Sequence, residues 1–414
     1  MTPAPKFARD VRMHGFTRRA EVRTVLDWID AHARQLGAET VAIADAFDRV
    51  LASPVIAAID VPTFDRVAMD GYALHGDETS GASDYNPLTF AVEGEAFPAR
   101  PHPGTVGRAS AARVMTGSML PEGADAVVPA EYAVEADGHV AITQAVAPGK
   151  NVGLRGEDIR AGTQVLSAGR RLRPQDCGLI ASLGIASLDV VRRPRVRLIV
   201  TGNEIVAPGV EKSIHQIYDA NSEVLRGLVA RDGGIVESHR RVGDDPDVIR
   251  DAMTASGADV VLISGGSSVG AEDHAPRLVA ETGELAIHGV AMRPSSPAGV
   301  GRIGTALVFL LPGNPVSCLC AYDFFAGRAI RVAGGRRAGW PHRIVRVTVA
   351  RKIASEVGRV DYCRVRLVDG AVEPIALSGA SILSSTTRAD GFVIVPAESE
   401  GYGAGADVDV YLYD

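Results

Sequence analysis

Four cysteines in 414 residues are too few, and too unevenly placed, to build a disulfide framework. Cys177, Cys318, Cys320 and Cys363 sit in apolar segments, which suits reduced, buried thiols in a cytosol. The pair Cys318-Leu-Cys320 has no second cysteine pair and no neighbouring histidine to complete a metal site. The ten histidines include no HExxH or comparable ligand spacing. No apolar run reaches the length of a membrane span. Residues 1–15 carry charge and lack an apolar core, so they read as a frayed tail and not as a secretory signal. Positive charge is in deficit, 43 Lys and Arg against 50 Asp and Glu. The net charge of -7 argues against a broad nucleic-acid surface.

What is present starts with residues 259–274, Asp-Val-Val-Leu-Ile-Ser-Gly-Gly-Ser-Ser-Val-Gly-Ala-Glu-Asp-His. Residues 260–263 are an unbroken, mostly β-branched apolar run, the signature of a central parallel strand buried on both faces. The chain then breaks at Ser264, Gly265, Gly266 and Ser268. Adjacent glycines admit positive φ and let backbone N–H groups approach an anion. With Asp273 and a short helix over 275–282, this is a strand, a Gly/Ser loop and a helix start, a phosphate-binding arrangement. It is neither a Walker loop nor a GxGxxG fingerprint, and a tight turn without a ligand reads the same way in isolation.

The remaining chain falls into segments. Val22, Val25, Leu26 and Ile29 recur at helical spacing, a helix over 21–35 closed by Gly37. A second helical stretch is expected over 42–51. Residues 88–146 are short β-rich runs between Gly/Pro turns, a small β domain. Asp65 and Asp70 precede it, Thr116 lies within it, and a glycine-bracketed loop with Arg155, Glu157 and Asp158 follows; capping and solvated turns account for these charges equally well. Pro174 opens a helix that ends at Gly184. From residue 193 strands and helices alternate, a doubly wound, mainly parallel sheet. Ligands of such sheets bind outside the carboxyl ends of the strands. Three of these ends carry Thr201-Gly202-Asn203-Glu204, Ser264 to Ser268, and Pro312-Gly313-Asn314-Pro315 before Ser317. Glu204, Asp219 and Asp273 around an anion cradle suggest Mg²⁺, which prefers carboxylate and phosphate oxygens; Asp219 and Asp273 also suit helix capping. Beyond 337 the chain reads as period-2 strands, a compact β domain whose loops offer Arg359, Arg364, Ser378, Ser381 and Arg388.

These motifs, in this order, resemble the molybdopterin molybdenumtransferase family, which includes MoeA and the gephyrin E domain. The matching stretches are residues 64–73 (FDRVAMDGYA), 115–117 with 121–125, 155–158 (RGED), 201–204, 216–221 (QIYDAN), 264–270 with Asp273, and 311–317 (LPGNPVS). The resemblance runs from about residue 16 to the end. It implies a multidomain α/β plus β chain. An elongated linking domain spans 12–60 and 146–192, a small β domain 61–145, a doubly wound molybdopterin-binding α/β domain 193–337, and a β-barrel-like domain 338–414. It also implies a cytoplasmic homodimer that takes adenylylated molybdopterin and molybdate, inserts molybdenum with Mg²⁺ and releases AMP. A molybdopterin adenylyltransferase and a molybdoenzyme are the protein partners it implies; nucleic acid and membrane are not.

Carried over, the catalytic residues are Asp70, Glu204, Asp219, Asp273 and Arg293, with Glu204, Asp219 and Asp273 holding the metal. Substrate binding falls to Thr116, Arg155, Asp158, Thr201, Gly202, the Ser264–Ser268 loop, Pro312 to Pro315, Ser317, Arg364 and Ser381. The sequence departs from the family at three places. Its Lys-Pro-Gly-Lys-Pro pattern is Arg293-Pro-Ser-Ser-Pro297 here, so Ser296 stands where a second lysine is usual. Gly379-Ala380-Ser381 replaces Gly-Ser-Gly, and Asn203 replaces an aspartate. These changes touch the presumed oxyanion and metal site, and leave open molybdate against tungstate. The alternatives are a molybdopterin adenylyltransferase and a non-catalytic molybdopterin scaffold. The first rarely carries two flanking β domains; the second has no need of the three carboxylates.

Overall fold

The computed structural model describes residues 16, 18–268, 270 and 272–413. The frayed tail expected over 1–15 lies outside them, as do Val269 and Ala271. The chain forms two compact units: Met1–Glu39 with Asp48–Val50 and Val190–Asp414, and Thr40–Phe47 with Leu51–Asp189.

The first unit is organised by a six-stranded sheet in the order Ile235–Val242, Arg195–Thr201, Val260–Ser264, Ala306–Leu311, Gly299–Ile303, Glu284–His288. The first four strands are parallel. Because successive side chains point to opposite faces, the apolar runs feed two cores. Leu198, Val200, Leu262 and Phe309 pack on one side. Ile199, Val261, Ile263 and Val308 pack on the other. Burial on both faces is what an unbroken apolar strand requires, and it makes the sheet doubly wound. The register sets Val200 beside Ser264 and Ser264 beside Leu311, so three carboxyl ends finish level. The expected helix over 275–282 is present as Ala275–Thr282. The helix starting near Ser317 begins two residues earlier, at Pro315, and continues through a π-helical turn, Tyr322–Ala326.

One strand was hidden in the sequence. Gly299–Ile303 forms an antiparallel pair with both Ala306–Leu311 and Glu284–His288. Its glycines serve close backbone packing. A Cβ at Gly301 would stand 2.1 Å from the Glu284 carbonyl oxygen. Met292–Arg293 lies outside this sheet and pairs with Val360–Asp361.

The C-terminal strands Ile344–Val349, Val360–Val368, Ala371–Ala376, Gly391–Val395 and Asp407–Leu412 close into a five-stranded barrel. Closure comes from Val360–Val368, which pairs with both Ala371–Ala376 and Gly391–Val395. Ala371–Ala376 escaped notice because it carries Pro374, a residue that strands usually exclude. Val365, Val372, Val393 and Val410 fill the interior. The helix Val22–His32 lays Val22, Val25 and Ile29 on the same core as the sheet.

The second unit holds the expected small β domain, a six-stranded sheet in the order Ala126–Pro129, Gly71–Leu74, Ser110–Val114, Leu88–Ala96, His139–Ile142, Ala133–Ala136. Pro174–Ser182 is a helix with proline in its first turn, as expected. The helix expected over 42–51 is absent. A strand, Ala38–Ala42, precedes one 3₁₀ turn, Ile43–Asp45. Thr40 and Val41 favour the strand through their β-branching, and the short run that follows lacks a sustained apolar face.

Barrel and sheet share one aromatic stack. The Phe392 ring lies 4.2 Å from Tyr362 and 5.1 Å from Tyr411, and Trp340 bridges Phe392 to Phe324 of the π turn. Phe392 is fully buried. Phe392→Ala is expected to cost about 3–5 kcal/mol, the usual range for deleting a buried aromatic ring. Urea unfolding of wild type and variant measures it.

Candidate active site

Where the three strands end level, the loops form a crevice, and glycine is needed there for space. Gly265 and Gly266 have φ of +92° and +57°. A Cβ on Gly265 would lie 2.5 Å from the Thr201 carbonyl oxygen, and one on Gly266 2.8 Å from Thr201 Oγ1. The loop is tied from behind. The Gly265 N–H and the Ser267 hydroxyl both donate to the Leu311 carbonyl. His288 Nε2 faces the Ser267 carbonyl at 2.8 Å. Burial holds His288 below the ordinary imidazole pKa, and its neutral ring donates through Nε2.

The floor carries two buried oxygens without a hydrogen-bond partner, Thr201 Oγ1 and Asn221 Oδ1. Asn221 is held rigidly, its amide N–H groups donating to Ser264 Oγ and to the Gly313 carbonyl, both at 2.8 Å. Thr201, Gly202, Glu204, Ser264, Gly265, Gly266 and Ser268 line a cavity of about 580 Å³. Asp273, Pro312, Gly313, Asn314, Pro315 and Ser381 complete its wall as the sequence suggested, and Asp244 and Glu272 add to it. Among the described residues no Arg or Lys lines it.

Asp219 lies at the rim of this cavity, but not as a metal ligand. Its side chain is wholly buried. It accepts from the Ser222 N–H at 2.9 Å and from the Ser222 hydroxyl, and Arg241 Nη1 stands 3.4 Å away. Asp219 therefore caps the helix Asn221–Arg231. Among the described residues no three His, Cys, Asp or Glu side chains converge as a metal centre. Of the expected set, Glu204, Asp219 and Asp273 all line the cavity, and Asp219 is engaged in the helix cap. Asp273 accepts the Gly270 N–H at 2.6 Å and braces the loop; Glu204 is exposed.

Behind Asp219 the hydrogen bonds have a fixed direction. Arg226 Nη2 sits 2.9 Å from His239 Nδ1. A guanidinium can only donate, so Nδ1 accepts and the ring proton is on Nε2. That nitrogen lies 2.7 Å from Ser222 Oγ, whose own proton goes to Asp219. His239 is thus neutral. Burial first, then Arg226 and Arg241, lower its pKa against the opposing pull of Asp219 and Glu223.

A second cavity of about 720 Å³ adjoins the first, sharing Pro297, Pro312 and Asn314 with it. Arg293, Ser296 and Ser317 line it together with Arg18, Arg19 and Arg359. Arg293 is not the free cation that was expected. Its Nη2 pairs with Asp361, a wholly buried carboxylate that also accepts from Ser355 Oγ at 2.8 Å and Arg359 Nε at 3.2 Å. Among the described residues Arg293 Nε, Arg359 Nη2 and Ser296 Oγ have no hydrogen-bond partner. Arg364 is not part of this wall. It is fully buried on the face of its strand opposite Val365, and donates to the Ser378 carbonyl. Arg388 instead bonds the Ser384 carbonyl, 3.1 Å away.

Asp70, Thr116, Arg155 and Asp158 belong to the other unit. Asp70 Oδ1 accepts from the Thr116 N–H at 2.7 Å and its hydroxyl at 2.8 Å, which lowers the Asp70 pKa. Arg155 pairs with Asp60 at 2.6 Å, and Asp158 is exposed.

A parallel sheet with a Gly/Ser anion loop, flanked by β modules, defines a multidomain molybdopterin-binding protein: residues 197–331 match the model described as "Probable molybdopterin binding domain". Residues 20–184 match the MoeA N-terminal region (domain I and II), and 346–413 the MoeA C-terminal region (domain IV). The molybdopterin molybdenumtransferase 2 of Mycobacterium tuberculosis is 35% identical over 384 residues, covering 90% of this chain and 94% of that protein. The molybdopterin molybdenumtransferase of Staphylococcus aureus is 28% identical over 400 residues, covering 94% and 95%. A crystal structure of the molybdopterin biosynthesis MoeA protein from Pyrococcus horikoshii has a TM-score of 0.78 at 29% identity, covering 96% of this chain and 100% of its own. The chain belongs to the molybdopterin molybdenumtransferase (MoeA) family.

Two outcomes test the floor and its support. Thr201→Val removes an unpartnered hydroxyl, so the melting temperature should hold or rise while pyrophosphate binding weakens about tenfold, the effect of losing one hydrogen bond; calorimetry reads both. His239 and His288 have folded pKa values below 6.5. Below pH 6.5 the unfolded chain therefore binds more protons, and stability falls as pH drops from 6.5 toward the folded values. His239→Gln should flatten part of that slope in melting temperatures taken between pH 5 and 8.

Proposed function

We propose that this protein inserts molybdenum into molybdopterin, taking adenylylated molybdopterin and molybdate and releasing AMP. The observation that carries the reading is the pair of abutting cavities of opposite character. The Gly/Ser crevice suits the phosphates of molybdopterin. Thr201 Oγ1 offers a hydroxyl donor, Asn221 Oδ1 an acceptor for ligand N–H or O–H groups, and the loop holds its backbone close to the ligand. The arginine-walled cavity suits a tetrahedral oxyanion, for which Arg293 Nε, Arg359 Nη2 and Ser296 Oγ are unpartnered donors. Phosphoanhydride cleavage needs positioning and charge stabilisation more than a covalent nucleophile. The cysteines fit no nucleophilic role: burial pushes the Cys318 thiol up to about 12.

Mg²⁺ belongs to this reading in a reduced form. It usually binds through one or two carboxylates plus substrate phosphates, so Glu204 and Asp273 would hold it without Asp219. It would supply charge neutralisation to the diphosphate. Asp273→Asn keeps an oxygen for the Gly270 N–H while removing the charge. It should slow AMP release by an amount equivalent to about 2–4 kcal/mol, as when a preorganised charge-stabilising group is lost, and leave the melting temperature nearly unchanged. Full activity at low Mg²⁺ would make Asp273 a loop brace alone.

The reading includes a homodimer in the cytoplasm. Four free cysteines, three of them buried, suit a reducing compartment. No helix among the described residues is long and apolar enough to cross a membrane. A dimer gives Asp70, Thr116, Arg155 and Asp158 their role, on loops that the second unit offers to a second copy. Sedimentation at micromolar concentration should find two chains; a compact monomer would contradict it. The function itself is tested by incubating the protein with adenylylated molybdopterin, Mg²⁺ and molybdate. Molybdate-dependent AMP release together with active cofactor is expected. AMP release indifferent to molybdate would overturn the reading.

A further inference from the structure

The arginine-walled cavity has a charge problem. Arg293 and Arg359 are its evident cations, but both lie against Asp361, and Arg359 Nη1 also pairs with Glu356 at 3.0 Å. Two guanidinium groups and two carboxylates cancel. A buried carboxylate so held draws the positive potential back from the cavity. At residue 296, where a positive side chain would restore it, stands a serine.

The remaining cations of the wall are Arg18 and Arg19. Among the described residues neither has a carboxylate partner. Their placement is built into the fold. The Ala20 N–H donates to the Gly289 carbonyl at 2.9 Å, and the Ala291 N–H donates back to the Ala20 carbonyl at 2.8 Å. Two residues before Arg18, the Phe16 ring meets His288 edge-on at 4.8 Å. That ring lies where a Cβ on Gly289 would stand, only 2.5 Å from Phe16 Cδ1. The segment is therefore pinned on both sides of the two arginines, along the strand that leads into Arg293.

We infer that Arg18 and Arg19 are the charge-supplying, specificity-determining residues of the oxyanion cavity, taking over the positive charge that residue 296 does not provide. The inference rests on the proposed reading that this cavity receives a tetrahedral dianion. Two positive charges, without an ion pair among the described residues, match the two negative charges of the ligand. Guanidinium groups offer paired N–H donors to two oxygens at once. Both side chains are exposed, so binding should weaken with salt, because exposed charges are screened.

The test uses the full-length protein and molybdate alone as ligand, followed by calorimetry at two salt concentrations. Wild type should bind molybdate, and added salt should weaken it. The double variant Arg18→Ala/Arg19→Ala should bind at least tenfold more weakly, with little salt dependence left. Adding Ser296→Lys to it should restore affinity by returning charge to the same wall. Arg18→Lys/Arg19→Lys should retain most binding. Unchanged affinity in the alanine double variant would overturn this inference and leave the oxyanion reading standing. No molybdate binding by wild type would overturn that reading first. Loss of affinity in the lysine variant equal to that of the alanine variant would also overturn the inference as one of charge.

Discussion

The structure depends on the alignment of three parallel strand ends. Val200, Ser264 and Leu311 stand side by side, and everything at the crevice is hung from that row. The Leu311 carbonyl receives Gly265 N and Ser267 Oγ, Asn221 bonds Ser264 and Gly313, and Thr201 presses against the two glycines. A one-residue slip would exchange the two apolar faces of a strand. With both faces packed, that slip is costly, so the hydrophobic cores fix the geometry of a polar site.

The second organising constraint is electrostatic. Asp361 is a carboxylate with no solvent exposure, and burying it demands cationic partners. Arg293 and Arg359 meet that demand at the junction of sheet and barrel, where Met292–Arg293 pairs with Val360–Asp361. Their charge therefore holds the junction together and is shared with the cavity only in part. In the neighbouring crevice Glu204, Asp244, Glu272 and Asp273 line the wall, with no basic side chain among the described residues. The two cavities thus differ in sign while sharing a wall of two prolines and Asn314.

Much of this was legible in the sequence where a local rule and the tertiary demand agreed. The run over 260–263 could be nothing but a buried strand, and the helix over 275–282 and the strand over 306–311 followed from period and punctuation. The Gly/Ser loop declared itself because only glycine fits against Thr201. The misses share one cause, that a residue's partner is distant in sequence. Gly299–Ile303 went unmarked because nothing local shows Glu284 packing on Gly301. Ala371–Ala376 hid behind Pro374. Asp219 looked like a metal ligand, because no pattern reveals that Ser222, His239 and Arg241 surround it. Arg293 looked free because Asp361 lies 68 residues further on. Arg364 seemed available in a loop-rich domain, but its side chain is buried on the strand face opposite Val365. Arg18 and Arg19 carried no motif, and only the pinning of Ala20 to Gly289 and Ala291 brings them to the site.

The account's central claim is that anion and diphosphate occupy separate cavities of one cleft. The direct measurement is the affinity of wild type for molybdate with and without saturating pyrophosphate and Mg²⁺. The account predicts simultaneous binding, with molybdate affinity changed by no more than a few fold. Mutual exclusion, in which pyrophosphate displaces molybdate stoichiometrically, would contradict it.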